Sequence, residues 1–332
     1  GRSFWVLDGL HVLEQLTGGQ PAMAGAASLY APQAAWLSHA YGSRGGEGGP
    51  QEAGENPPFG ATVYFRVPDS YDGSTPASLT FTDANGEVIR SFDLHPKQQE
   101  EKKSEVEKEK ENTRPSAEQR REALKKLTGI EPGANRFQWD LRYPDATEVE
   151  GFLAPVAAGG LEDEVEGPVV TPGTYHVVLS YGGQKAEQSF QVKLDPRLDA
   201  TQADLEAELK LQLSIHRTLD SLDRALNRAI DVRDGLEKAI AGGSAKGGAR
   251  KAVSALSDEI GRLVQLDIHS SEGDLLHQAR LRSHLAYLAA DIGLAYARPT
   301  PAHEQVFREL QTEARKGEQK LEGLVQQAKG MM

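Results

Sequence analysis

Nine histidines invite a metal or acid–base reading, and His269, His277 and His284 form the densest group. His277 and His284 are seven positions apart, which puts them two turns apart on one helix face. Two imidazoles on one ion need a spacing of about one turn, as in an i,i+4 pair, so these histidines read as solvent-facing or capping. The acidic run Glu162, Asp163, Glu164 and Glu166 lies in a Gly-bounded loop with no apolar setting to raise a carboxyl pKa for general-acid work. No nucleophile elbow, phosphate loop or dinucleotide fingerprint is present. The stretch GGSAKGG has glycines and a lysine but lacks the following Ser or Thr and the preceding strand. The absence of cysteine removes thiolate catalysis and sulfur-ligated zinc. The reading is a non-enzyme, with no catalytic residue, metal or cofactor expected.

Two groups of side chains suit binding instead. Trp139, Asp140, Arg142 and Tyr143 stand together in WDLRYP. Exposed, they would stack on a sugar ring and hydrogen-bond its hydroxyls. Alternation offers the opposite reading, with Phe137, Trp139 and Leu141 buried together and Asp140 and Arg142 paired on the other face. The second group is aromatic and apolar: Phe4, Trp5, Val6 and Leu7 near the start, then Tyr30, Trp36 and Tyr41 in a Gly/Ala/Pro-rich stretch. A short run apolar on both faces reads as a strand from the middle of a sheet whose neighbours lie elsewhere. Aromatics are out of place on a free tether, so part of this stretch is expected to lie against a surface, the chain's own or a partner's.

The elements that must position these residues fall into four segments. Residues 1–17 read as the orphan strand segment and 18–58 as a linker. Residues 59–196 show strand-like alternation in ATVYFRV, SLTFTDANGEVIRSFDL, NRFQWDLRY and GTYHVVLSYGGQKAEQSFQVKL. Asn85-Gly86 and Gly182-Gly183 supply tight hairpin turns. A calcium loop at Asp83–Gly86 would need a distal bidentate Glu, and strand residues Val88 and Ile89 occupy that stretch. About six or seven short strands predict a small immunoglobulin-like antiparallel β-sandwich. It is interrupted over 96–128 by a charged insertion whose last part, SAEQRREALKKL, reads as a helix capped by Ser116. EGFLAPVAAGGLEDEVEGP reads as a further loose loop.

Residues 197–332 are helical in pattern. Thr201 caps a long helix carrying Leu205, Leu209, Leu213, Leu219, Leu222, Leu226 and Ile230. AGGSAKGGA ends it. Val253, Leu256, Ile260 and Leu263 mark a second helix, Leu281, Leu285, Leu288 and Ile292 a third, and a fourth begins around Pro299 and Pro301. It carries Val306, Phe307 and Leu310. Short connections predict an antiparallel bundle of three or four helices. The fold class is multidomain β plus α.

With 37 basic and 49 acidic residues the chain carries a formal charge of −12, which repels nucleic acid and anionic lipid. The most apolar stretch, LAYLAADIGLAYA, is interrupted by Asp291 and falls short of the roughly 18 residues a bilayer requires. The chain opens on Gly1 and not on Met, which reads as a processed or excised product, a form that leaves open the earlier removal of a signal peptide or lipid anchor.

The segments GRSFWVLDGL, GENPPFGATVYF, GANRFQWDLRYPDA, TPGTYHVVLSYGG, KLDPRLDATQADL and ARPTPAHEQVF together resemble the C-terminal region of bacterial exported proteins. These carry sortilin-like or neuraminidase-repeat β-propellers and are often labelled glycosyl hydrolases. The sandwich part is also similar to the immunoglobulin-like domain of flagellar hook-capping proteins, through Trp139-Asp140 and Gly173-Thr174-Tyr175. The resemblance spans nearly the whole chain and implies that the strand FWVLD closes a propeller, which is missing here together with any catalytic residues. It further implies an extracytoplasmic address, in the periplasm or at the cell surface. The expected role is a non-catalytic accessory subunit with protein partners in a larger assembly, of a kind that includes membrane complexes entered without a transmembrane helix of its own. The alternative is a carbohydrate-binding accessory module built on Trp139, Asp140, Arg142 and Tyr143.

Overall fold

The computed structural model describes residues 9–17, 27–38, 59–97, 117–152, 166–266 and 279–332. Among them are nine strands and six helices, a mixed β and α fold. The chain divides into two compact units, one of Gly1–Tyr143 with Val169–Asp199, the other of Pro144–Pro168 with Ala200–Met332.

The first unit holds all nine strands. β3 (Ala61–Val67) pairs antiparallel with β1 (Ser28–Leu29) and β7 (Gly133–Trp139) in a three-stranded sheet. The second sheet has six strands in the order β2-β9-β8-β4-β5-β6, with β2 Ala35–Leu37, β4 Ala77–Asp83, β5 Val88–Pro96, β6 Gly129–Ile130, β8 Gly173–Tyr181 and β9 Gln184–Leu194. Alternation decides the faces: Val63, Phe65 and Val67 of β3, Leu79 and Phe81 of β4, and Val177 and Leu179 of β8 are buried while their neighbours point out. Between the sheets lies an aromatic layer. Phe81 of β4 stacks on Trp139 of β7 at 4.3 Å, Phe92 of β5 meets Phe137 of β7 at 4.8 Å, and Tyr175 and Phe190 approach Trp139 edge-on.

Both expected hairpins form. β4 and β5 are joined through Asp83, whose Oδ1 accepts the backbone N–H groups of Asn85 and Glu87. Here only Gly86 takes a positive φ, +81°, so the turn is type I followed by a left-handed glycine, and Asn85 contributes no positive φ. β8 and β9 turn on Gly182 and Gly183, at φ +55° and +83°. At the start of β8 the Tyr175 hydroxyl donates to the Thr171 carbonyl at 2.6 Å. Burial pushes this phenol up to about 12. Tyr175→Phe should therefore cost about 1 kcal/mol in urea denaturation with the spectrum of the native sheet retained, since one buried bond is lost and its carbonyl stranded.

Three segment boundaries differ from the sequence reading. Residues 27–38 are structural and not linker: Ser28–Leu29 adds to one sheet and Ala35–Leu37 runs parallel to Val192–Leu194 in the other. Strands of two and three residues give at most one period of alternation, too little to mark a strand in the sequence. Leu10–Thr17, assigned to the orphan strand segment, is helix α1. Its leucines fall three apart, a helical interval. The third difference is that Pro144–Pro168, read as part of the strand region, belongs to the helical unit. The charged insertion ends as expected in a helix, α2 (Ala117–Thr128), and its return strand β6 pairs parallel with His95–Pro96 of β5. Ser116 lies outside the described residues.

In the second unit α3 (Gln202–Ala241) is the spine, and α4 (Ala249–Leu263), α5 (Leu281–Gly293) and α6 (Pro301–Lys329) all pack against it. Thr201 caps α3, its hydroxyl accepting the Asp204 N–H at 3.2 Å. Thr300 caps α6 and Pro301 occupies its first turn. Leu219, Leu222, Leu226, Leu256, Ile260, Leu263, Leu285 and Leu321 are buried in one core. Val306 is exposed, so α6 turns a face to solvent there that the sequence pattern placed inward. Residues 144–152 lie along α3. Thr147 donates from its backbone and hydroxyl to Asp220 Oδ1, the Asn227 amide donates to the Glu148 carbonyl, and the Glu150 N–H donates to Asn227 Oδ1. Ala146 and Val149 enter the helical core, and Phe152 lies against it. No helix among the described residues is long and apolar enough to cross a membrane.

Candidate functional site

Of the residues considered for partner binding, Phe4, Trp5, Val6, Leu7 and Tyr41 lie outside the described residues, as do His269 and His277. Tyr30 is buried, its backbone N–H bonded to the Tyr64 carbonyl at 3.1 Å. Trp36 is different. It sits on β2 between buried Ala35 and Leu37, and 48% of it is exposed, with the Lys193 ammonium 5.6 Å from the ring centroid.

Trp139 is 0% exposed, sealed in the aromatic layer, and its indole N–H donates to the Arg142 carbonyl at 3.1 Å. It offers no face to a sugar ring. Asp140 accepts the Arg142 backbone N–H and lies 3.6 Å from the Arg90 guanidinium, which also donates to the Tyr143 carbonyl. The four residues of WDLRYP are thus built into the end of β7 by their own backbone. Leu141, also 0% exposed, takes a φ of +59°, the left-handed conformation that turns the chain so the Trp139 indole reaches Arg142.

No cluster of three or more metal-ligating side chains occurs among the described residues. Three acidic side chains are buried in the helical unit, which sequence reasoning did not single out. Asp223 is 0% exposed and faces Arg282, also 0% exposed, whose Nε lies 3.1 and 3.0 Å from the two carboxylate oxygens. The Arg282 guanidinium lies 4.4 Å from the centre of the Phe152 ring. Glu259 on α4 receives Arg262 and Lys320, both at 2.6 Å. Burial works to raise its carboxyl, but those bonds outweigh it and hold the group below its usual range. Glu208 has no such cations among the described residues. The first two are ion pairs made within the helical unit.

The surface best suited to recognition is on α1, whose residues run on in the sequence from the strand-like stretch before them and so do not announce a helix. The helix is docked through His11, Val12 and Gln15. The Gln15 amide donates to the Ala31 carbonyl at 3.1 Å while its oxygen accepts the Ala31 N–H at 2.8 Å, closing a pair that imitates strand pairing. His11 packs edge-on to Tyr64 of β3 at 5.9 Å, and burial lowers its pKa. At 100° per residue His11, Val12 and Gln15 share one side of the helix and Leu10, Leu13 and Leu16 the other. The leucines are 53%, 48% and 47% exposed. An ordinary surface helix does the reverse, turning its apolar stripe inward. A scan against protein-family models found no match, and no curated protein matches the chain.

Proposed function

We propose that this chain is a non-catalytic interaction protein, an immunoglobulin-like sandwich followed by a helical bundle, that serves as an accessory subunit of a larger extracytoplasmic assembly. The observation that carries the reading is the docking of α1: the Gln15–Ala31 bonds fix the side that holds His11, Val12 and Gln15 and leave Leu10, Leu13 and Leu16 outward. Holding three leucines in water is unfavourable by about 1 kcal/mol or more each, which a partner surface would recover. The half-exposed Trp36 gives the first unit a second apolar contact of the type enriched at interfaces.

The immunoglobulin-like reading is supported by the chain path. The first strand splits between the two sheets, β1 on one and β2 parallel to the last strand β9 on the other. A tyrosine at the start of β8 hydroxyl-bonds to a carbonyl four residues upstream, as in the tyrosine corner of that fold. The resemblance to the C-terminal regions of exported propeller proteins supplies the extracytoplasmic address.

The test is the native mass of the protein gently extracted from its source, with the companion identified by mass spectrometry, for the wild type and for Leu10→Glu/Leu13→Glu. The wild type is expected in a complex of defined mass. The double variant, whose changes lie on the outward side, should keep its thermal transition and lose the companion with a weakening of a hundredfold or more. A wild type that runs as a free 36.0 kDa chain overturns the reading.

A further inference from the structure

The connection between α5 and α6, residues 294–300, is fastened to the first turns of α3 through two carboxylates, Asp204 and Glu208. Glu208, 8% exposed, accepts the Ala297 backbone N–H through Oε2 at 3.2 Å and faces the Gln212 amide at 3.5 Å through Oε1. Gly293, the last residue of α5, lies against Gln212: a Cβ there would be 2.9 Å from the amide nitrogen. The charged groups on the surrounding elements are already engaged. Arg298 of the connection donates to Asp204 of α3 at 2.7 Å and to the Ala203 carbonyl at 3.3 Å. Asp291 of α5 faces His303 of α6 at 3.2 Å, and Glu304 faces Arg308 one turn further along α6. None of these cations forms an ion pair with Glu208 among the described residues.

We propose that this corner is a proton-operated clasp, in which protonated Glu208 keeps the 294–300 connection fastened to α3 and ionised Glu208 releases it. A carboxylate buried against one backbone N–H and no cation is poorly solvated, and the direct way to hydrate it is to lift the connection that covers it. The neutral carboxyl keeps its acceptor oxygen without that cost. Burial raises this carboxyl to about 7, so the clasp works close to neutrality. His303 accepts the Thr300 N–H through Nδ1 and faces Asp291 through Nε2, which ties the end of the connection to the start of α6. Leu205, Ile292 and Phe307, all buried, lie on the three helices that meet at this corner, and water reaching them is the output of opening. The clasp is independent of the role proposed for α1.

Amide hydrogen exchange of the full chain between pH 5.5 and 8.5, corrected for the intrinsic rate, tests it. Protection over 294–300 in the wild type should fall ten- to a hundredfold as pH rises, while that of Leu226 and Leu256 in the core stays level. Glu208→Gln should hold protection level across the range, and His303→Ala should retain the transition. A flat wild-type profile, or an unchanged transition in Glu208→Gln, overturns the proposal. Should Glu208→Gln fail to fold, the side-chain carbonyl resonance of Glu208 in the wild type decides: a midpoint near 7 coincident with the loss of protection supports the clasp, and one below 5 sinks it.

Discussion

Replacing Asp223 with alanine should cost about 3–5 kcal/mol of stability, one of the two largest losses expected from any single change in this chain. The reason is the environment and not the strength of the pair. Asp223 and Arg282 are both 0% exposed, and the guanidinium is covered by Phe152 at 4.4 Å. Removing the carboxylate leaves a permanent cation, since arginine does not deprotonate, in a place water does not reach. Arg282→Met should be similarly damaging because it leaves the carboxylate buried, although that group can recover part of the loss by taking up a proton. The double variant Asp223→Leu/Arg282→Met removes both charges and should regain most of the stability, as replacement of a buried pair by apolar side chains of similar size commonly does. Urea denaturation of the two single variants and the double one closes the cycle. A cost under 1 kcal/mol for Asp223→Ala would mean that Arg282 finds water, and that Phe152 does not seal the site.

The same pair shows where the sequence is legible and where it is not. Leu219, Leu222, Leu226 and Leu285 announce their helices because neighbours on a helix face recur every three or four residues, and Thr201, Thr300 and Pro301 mark the ends through capping that is local by nature. Asp223 and Arg282 are 59 residues apart, and nothing in either neighbourhood indicates that one charge will be buried against the other. Residues 144–152 fail for a related reason. Ala146, Val149 and Phe152 contact a core contributed by α3, α4, α5 and α6, yet between polar neighbours and near a glycine they have the composition of a loop. In 27–38 the strands are two and three residues long, about one period of strand alternation, too little to stand out from the Gly/Ala/Pro-rich stretch around them. The α1 surface is hidden differently: its three leucines fall three apart, but which side of a helix faces in depends on Gln15 finding Ala31, a partner 16 residues away.

Trp139→Ala should destabilise the first unit by about 3–5 kcal/mol, the range for emptying an aromatic site in a packed core. Phe81 at 4.3 Å, Tyr175 at 6.1 Å and Phe190 at 6.3 Å would all face the void, and they come from three strands of the opposite sheet, so no local collapse can fill it. Trp139→Phe keeps most of the volume and should cost less, about 1–2 kcal/mol, chiefly through the indole bond to the Arg142 carbonyl. That bond also rewards the left-handed backbone of Leu141, so the phenylalanine variant should loosen the 140–143 turn before the sheets separate, visible as faster amide exchange there. Denaturation of the three proteins, followed by far-ultraviolet circular dichroism and tryptophan emission, measures the order. Trp36→Ala is the control: half-exposed on an edge strand, it should cost 0.5 kcal/mol or less. The ordering matters for any binding assay. A ligand lost in Trp139→Ala would report a damaged core, whereas one lost in Trp36→Ala with stability intact would identify a contact. A Trp139→Ala protein as stable as the wild type would mean that the indole is not sealed between the sheets, and would return the WDLRYP group to the surface as a binding candidate.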